Sequence, residues 1–158
     1  MSAIRRNKGF TLIEILIVVI ILGILAAIVI PQFANASTSA KLSAIQSTAQ
    51  SLRSQVALYK LQHNDVMPSA ANFWTLMTTT TDVNGNAVAA GTANSYGPYM
   101  QSVPTNPLNN SSALIDSAGA LYPGSATGSC GWAYDYSSGT GSGRVYGTNT
   151  DSKTLVGP

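Results

Sequence analysis

Hydrophobic positions change rhythm once along this chain, near residue 31. From Phe10 to Ile30, twenty-one residues run almost without a polar position, and Glu14 is the single charge among them. A helix of that length is about 31 Å long, close to the ~30 Å hydrocarbon core of a bilayer. From Gln32 to Lys60 the apolar residues recur instead at helical spacing: Leu42, Ile45, Ala49, Leu52, Val56 and Tyr59. Lys41, Ser43, Gln46, Ser47, Gln50, Ser51 and Arg53 fall on the other faces. The two patterns predict one helix of about fifty residues, apolar first and amphipathic after, with Pro31 as its weak point. Asn64-Asp65 and Pro68 end it.

Beyond the helix the pattern breaks into short pieces. Residues 69–79 predict a short helix, capped by Ser69, with Phe73, Leu76 and Met77, or Trp74 and Met77, as its apolar edge. Thr78 to Gly91 reads as a polar loop turning at Asn84-Gly85. The prolines of Tyr96–Pro107 exclude a central strand. Trp132-Ala-Tyr134-Asp-Tyr136, a Gly/Ser-rich stretch at 137–143, and Arg144-Val145-Tyr146 predict a β-hairpin with its aromatic face turned inward.

Composition changes this picture mainly through what is scarce. Charged residues are 9% of the 158, whereas Ser and Thr supply 34 residues. Such a surface is polar without being charged, which excludes a basic nucleic-acid module and an acidic disordered tail. The net charge of +2 is also unevenly placed, since Arg5, Arg6 and Lys8 precede the apolar run. Residues 10–158 hold five Lys and Arg against six Asp and Glu. A basic cluster before the span, with no cation after it until Lys41, places the N-terminus in the cytoplasm and the remainder outside. The run is longer than the 7–15-residue core of a cleaved signal peptide, although Ala34-Asn35-Ala36 imitates its cleavage site.

Glu14 is the anomaly. A carboxylate inside an apolar span costs about 2.5–3.5 kcal/mol on insertion scales, so it calls for a partner and a function. If the chain is cut between Gly9 and Phe10, the new amine lies four residues from Glu14, and each charge offsets the other's desolvation.

The stretch Lys8-Gly9-Phe10-Thr11-Leu12-Ile13-Glu14 resembles the processing site of type IV pilins and type II secretion pseudopilins. The resemblance implies cleavage after Gly9 by a prepilin peptidase, N-methylation of Phe10, and assembly directed by Glu14. It also implies a role for Pro31, where family helices often kink or melt in the filament. The expected fold is α+β and pilin-like: a long N-terminal helix packed on a small antiparallel sheet. The expected organisation is a leader at 1–9, a membrane and assembly helix at 10–31, and an extracytoplasmic domain at 32–158. The expected partners are other copies in a helical polymer, other pilins or pseudopilins, the prepilin peptidase, an inner-membrane assembly platform and membrane lipid. A type II secretion pseudopilin is the first expectation, and a type IV pilin for adhesion, motility or DNA uptake is the second.

Other chemistry is thinly represented. Gly139–Gly143 lacks the Gly-Lys-Ser/Thr of a phosphate-binding loop. His63 is the only histidine and Cys130 the only cysteine, so neither a His/Cys zinc site nor an intrachain disulfide is expected. The carboxylates are scattered. Asp135 and Asp151 are weak candidates for calcium, which wants about six to eight oxygens with several carboxylates among them. Major pseudopilins resemble this chain but generally carry a more acidic calcium loop, so no metal and no cofactor are expected. A membrane-anchored enzyme would need a catalytic constellation that the sequence does not offer. A module binding nucleic acid through Trp132, Tyr134, Tyr136 and Arg144 would need a basic patch for the phosphates.

Overall fold

A computed structural model describes residues 9–117, 130–149 and 155–156 of the chain. Helix α1 spans Leu12–Gln62 and helix α2 spans Phe73–Thr78. The strands are β1 (Leu114–Asp116), β2 (Trp132–Tyr134) and β3 (Val145–Gly147). Contacts divide the chain into two units, one ending at Ser39 and one beginning at Ala40, and α1 contributes to both.

The first unit is the apolar part of α1. Leu, Ile and Val have few polar atoms to satisfy, and a helix closes its backbone hydrogen bonds within itself. Helical structure passes through Pro31, whose missing N–H leaves the carbonyl of Ala27 without its usual donor. Large side chains are exposed all round, among them Leu12, Ile17, Ile24 and Phe33. A helix apolar on every face is one that other apolar matter covers.

The second unit has a conventional core. Ile45, Ala49, Leu52, Val56 and Tyr59 are buried, and Leu42 is half-buried, as the periodic stripe predicts. Asn64 and Asp65 adopt left-handed backbone angles (φ 52° and 65°), and the Asp65 N–H bonds back to the Lys60 carbonyl at 2.9 Å. That wraps up the helix end, with a Lys60–Asp65 ion pair of 3.3 Å outside it. The short helix arrives as a 3-10 turn, Ala70–Asn72, leading into α2, with Phe73 and Met77 buried. Ser69 stands at the N-cap position, but its side chain makes no capping bond.

The sheet order is β1-β2-β3. β2 and β3 form the expected hairpin, with Trp132 opposite Gly147 and Tyr134 opposite Val145. The sheet is mixed, however, because β1 pairs parallel to β2, with Leu114 opposite Trp132. The α+β class therefore stands, but the wholly antiparallel sheet expected from the hairpin does not. Three residues of Leu-Ile-Asp are too short to show an alternating pattern of their own.

As central strand, β2 buries Ala133 as well as Trp132 and Tyr134. The helix meets the sheet at Gly147, where an added Cβ would fall on the Ile45 side chain. Close packing of Ile45 on β3 therefore requires glycine there. Polar groups tie the remaining loops to this core. Trp132 Nε1 donates to the Pro104 carbonyl at 3.0 Å, and the Tyr134 hydroxyl donates to the Pro68 carbonyl at 3.0 Å.

Candidate functional site

The residues singled out by the processing motif lie at the start of α1. Gly9 and Phe10 are exposed and precede the helix. A Cβ at Gly9 would meet nothing within 4 Å among the described residues, so packing there makes no demand for glycine. Thr11 is the last residue before the helix. Its N–H and its hydroxyl both donate to Glu14 Oε2, each at 2.8 Å, and the Glu14 N–H reaches back to Thr11 Oγ1 at 3.4 Å. This is a capping box: a hydroxyl residue and a Glu three positions later satisfy each other's free N–H groups at a helix N-terminus.

In the uncut chain, then, Thr11 already supplies a partner for Glu14. This partner is additional to the amine that a cut before Phe10 would free. The Thr-x-x-Glu spacing before an apolar run was the signal that reveals this second partner. Oε1 accepts nothing among the described residues, so the box occupies half of the carboxylate. Pro31 lies seventeen residues further along the helix, about 26 Å from Glu14 along the axis, and the two are not brought together.

The other candidates serve packing. Asp135 is half-buried and does not simply face solvent: Oδ1 accepts from the Ser137 hydroxyl at 3.1 Å, and Oδ2 from the Ser142 N–H at 2.9 Å and its hydroxyl. It holds the hairpin loop closed. Asp116 accepts from the N–H groups of Tyr136 and Ser137, both at 3.2 Å. No group of three or more His, Cys, Asp and Glu able to hold a metal occurs among the described residues. Asp151 and the basic segment 1–8 lie outside the described residues. Trp132 and Tyr134 are fully buried, which removes them as a stacking platform.

Two buried polar centres escaped the sequence reading. His63 is buried, stacked on Tyr59 with ring centroids 3.7 Å apart, and edge-on to Tyr96. Its Nδ1 lies 2.8 Å from the Tyr59 carbonyl and so donates to it, and its Nε2 lies 3.0 Å from the Thr81 hydroxyl. The helix end is thereby bonded to the loop after α2. Burial raises the Tyr59 phenol above its ordinary range, with Asp82 adding to the effect. Burial, with Tyr59 and Tyr96 nearby, pushes Tyr99 up to about 12.

Asn106 is the second centre. Its Nδ2 donates to the carbonyls of Gly131 (2.8 Å) and Thr148 (2.7 Å), and its Oδ1 accepts from the Leu108 N–H at 2.9 Å. It pins the proline-punctuated segment to both strands of the hairpin. A polar residue in a proline-rich stretch carries no periodic signal that would mark it as buried.

Comparison with known proteins agrees with the motif. Residues 4–30 match the prokaryotic N-terminal methylation motif. The chain is 33% identical over 96 residues to the type IV narrow pilus major component PilA5 of Thermus thermophilus, covering 53% of this chain and 83% of that protein. It is 32% identical over 108 residues to the type II secretion system core protein G of Aeromonas hydrophila, covering 67% and 71%. With the core protein G of Pseudomonas aeruginosa it shares 42% identity over 59 residues, which is 37% of this chain and 42% of that one. No solved structure matches significantly. The similarity extends past the apolar run and through most of two relatives, so the chain belongs to the family of type IV pilins and type II secretion pseudopilins.

Proposed function

We propose that this protein is a structural subunit of a pilus-like filament, most closely a type II secretion pseudopilin. The observation that carries the reading is the methylation motif at residues 4–30, which runs into a helix whose apolar side chains are exposed on every face. In a bilayer that surface is covered by lipid; in a filament it is covered by the same helix from neighbouring subunits. One surface therefore serves both the stored and the assembled state.

In this account a prepilin peptidase cuts between Gly9 and Phe10 on the cytoplasmic side and leaves residues 10–31 as the membrane segment. The domain from residue 32 onward lies outside the membrane. The new Phe10 amine meets a carboxylate that the capping box has already ordered. Glu14 keeps Thr11 through Oε2 and offers Oε1 to the amine of its own or a neighbouring chain. Pro31 supplies the point at which the helix yields during packing. An assembly platform in the inner membrane extracts the subunits. The account assigns no catalytic residue, cofactor or metal.

A type IV pilin is the second reading, favoured by the 83% coverage of the Thermus pilus component. The test is Glu14→Leu in cells carrying the peptidase and platform. Insertion and cleavage should be normal, and filament yield should fall to background. Wild-type filament yield from that variant contradicts the proposal.

A further inference from the structure

Four Lys and Arg residues fall in the described part of the second unit, and three of them line one cavity of about 250 Å³. Arg53, Lys60 and Arg144 stand around it, with Val56 and Met67 as apolar floor and Ser142 at the side. Two of the cations are engaged. Arg53 Nε donates to the Val145 carbonyl at 2.9 Å, and its guanidinium lies 4.8 Å above the Tyr146 ring. Lys60 pairs with Asp65. Arg144 is exposed and forms no ion pair among the described residues. Lys41 is also unpaired there, but it does not line this cavity.

The acids show a matching imbalance. Asp65 is taken by Lys60, Asp116 and Asp135 hold the hairpin loop, and Glu14 lies in the apolar segment. Asp82 is the described carboxylate presented on a surface turn. Oδ1 accepts from the N–H groups of Asn84 and Asn86, both at 2.9 Å, and Oδ2 accepts only from Asn86 Nδ2, at 3.0 Å. A carboxylate has about four acceptor sites, so Oδ2 keeps one open. Half-buried Val83 follows the acid. Hydrogen bonds from Asn86 hold the Asp82 carboxyl below the usual carboxylate range, which keeps it charged.

We propose that the Arg53–Lys60–Arg144 cavity receives the Asp82 turn of a second copy of the chain, with Arg144 pairing the carboxylate and Val83 meeting the apolar floor. This rests on the filament reading. The charge and the apolar side chain on the turn complement those of the cavity. The two patches also differ, so the contact can repeat head-to-tail from copy to copy, as an open helical polymer needs. An ion pair shielded in such an interface fixes register as well as adding affinity.

The test uses the full-length chain in cells that assemble it. Arg144→Glu should cut the yield of sheared filaments by about tenfold, Arg144→Lys should retain it, and Lys41→Glu should leave it unchanged. Because Asp82 shapes its own turn, Asp82→Asn is the gentler partner variant, and it should also lower the yield. Arg144→Lys filaments treated with a zero-length carbodiimide should give a peptide joining position 144 to Asp82 of a neighbouring subunit, absent from detergent-dispersed monomers. Wild-type yield from Arg144→Glu, or coupling of position 144 to a different acid, overturns the contact while leaving the filament reading intact. No filaments from the wild type overturns the filament reading first, and the contact with it.

Discussion

The two units bury their hydrophobic side chains by opposite means. In the second, Ile45, Ala49, Leu52, Val56 and Tyr59 are covered by the chain's own sheet and loops. In the first, Leu, Ile and Val are exposed around the whole helix. The same element, α1, supplies both. A helical stripe closes a domain, whereas an all-round apolar surface requires lipid or other copies. Stability of the second unit should therefore depend on its own residues, and that of the first on its surroundings.

The sharpest way to break this comparison is to remove the stripe. A fragment starting at Gln32 should fold without detergent, because it keeps the helical face that closes the core. A fragment starting at Asn64 should not, since five buried helix side chains are gone. Cooperative thermal melting of the shorter fragment would contradict the layout. On a finer scale, Leu52→Ala should cost about 2–5 kcal/mol in that unit, whereas Leu22→Ala should leave its melting temperature where it is.

Next in size is the polar staple. Asn106→Ala leaves the carbonyls of Gly131 and Thr148 without this donor, and burial makes such losses cost about 1–3 kcal/mol. Chemical denaturation should show a lower midpoint with an unchanged slope. An unchanged midpoint would mean that the proline-punctuated segment is held by other contacts.

In the first unit, Thr11→Ala removes the hydroxyl from the capping box, an effect of about 1 kcal/mol. In lipid or detergent, amide hydrogen exchange should quicken over the first turn of α1 and leave residues 40–62 untouched. Equal protection in variant and wild type would remove the box from the account.

The smallest expected effect is that of pH. Tyr99 is raised to about 12 in the folded chain, so the folded state holds the proton more tightly than an unfolded tyrosine, whose pKa is ~10. The stabilisation is complete below ~10 and lost as pH rises towards 12. Asp82 works in the opposite direction: its depressed carboxyl supports the fold above the ordinary value of ~3.9, and that support fades as pH falls through its folded pKa. Tyr99→Phe should flatten the alkaline limb of the stability curve and leave the acid limb alone.

Legibility followed periodicity. The fifty-residue helix, the stripe, the stop at Asn64-Asp65 and the Trp132–Tyr146 hairpin could be read because burial imposes a repeat on residues in regular structure. β1 could not, because three residues carry no repeat and its partner β2 lies far along the chain. His63 and Asn106 are buried polar residues fixed by long-range bonds, the one to Thr81 and the other to Gly131 and Thr148, and such bonds leave no local pattern. The methylation motif is the clearest functional signal; within it a carboxylate in an apolar run points first to the bilayer and to the amine of a cut chain, and the capping box with Thr11 is the subtler feature. Alternation with Tyr134 and Tyr136 would turn Asp135 to solvent, but the tight loop after β2 folds Ser137 and Ser142 onto it.

The central claim is that the chain of an assembled subunit begins at Phe10, two residues before the apolar helix. Intact-mass and N-terminal peptide measurement on filaments sheared from cells tests it directly. The account predicts a chain starting at Phe10 and bearing a methyl group on its amine, with no residue from 1–9 present. Filaments whose subunits still begin at Met1 would contradict it.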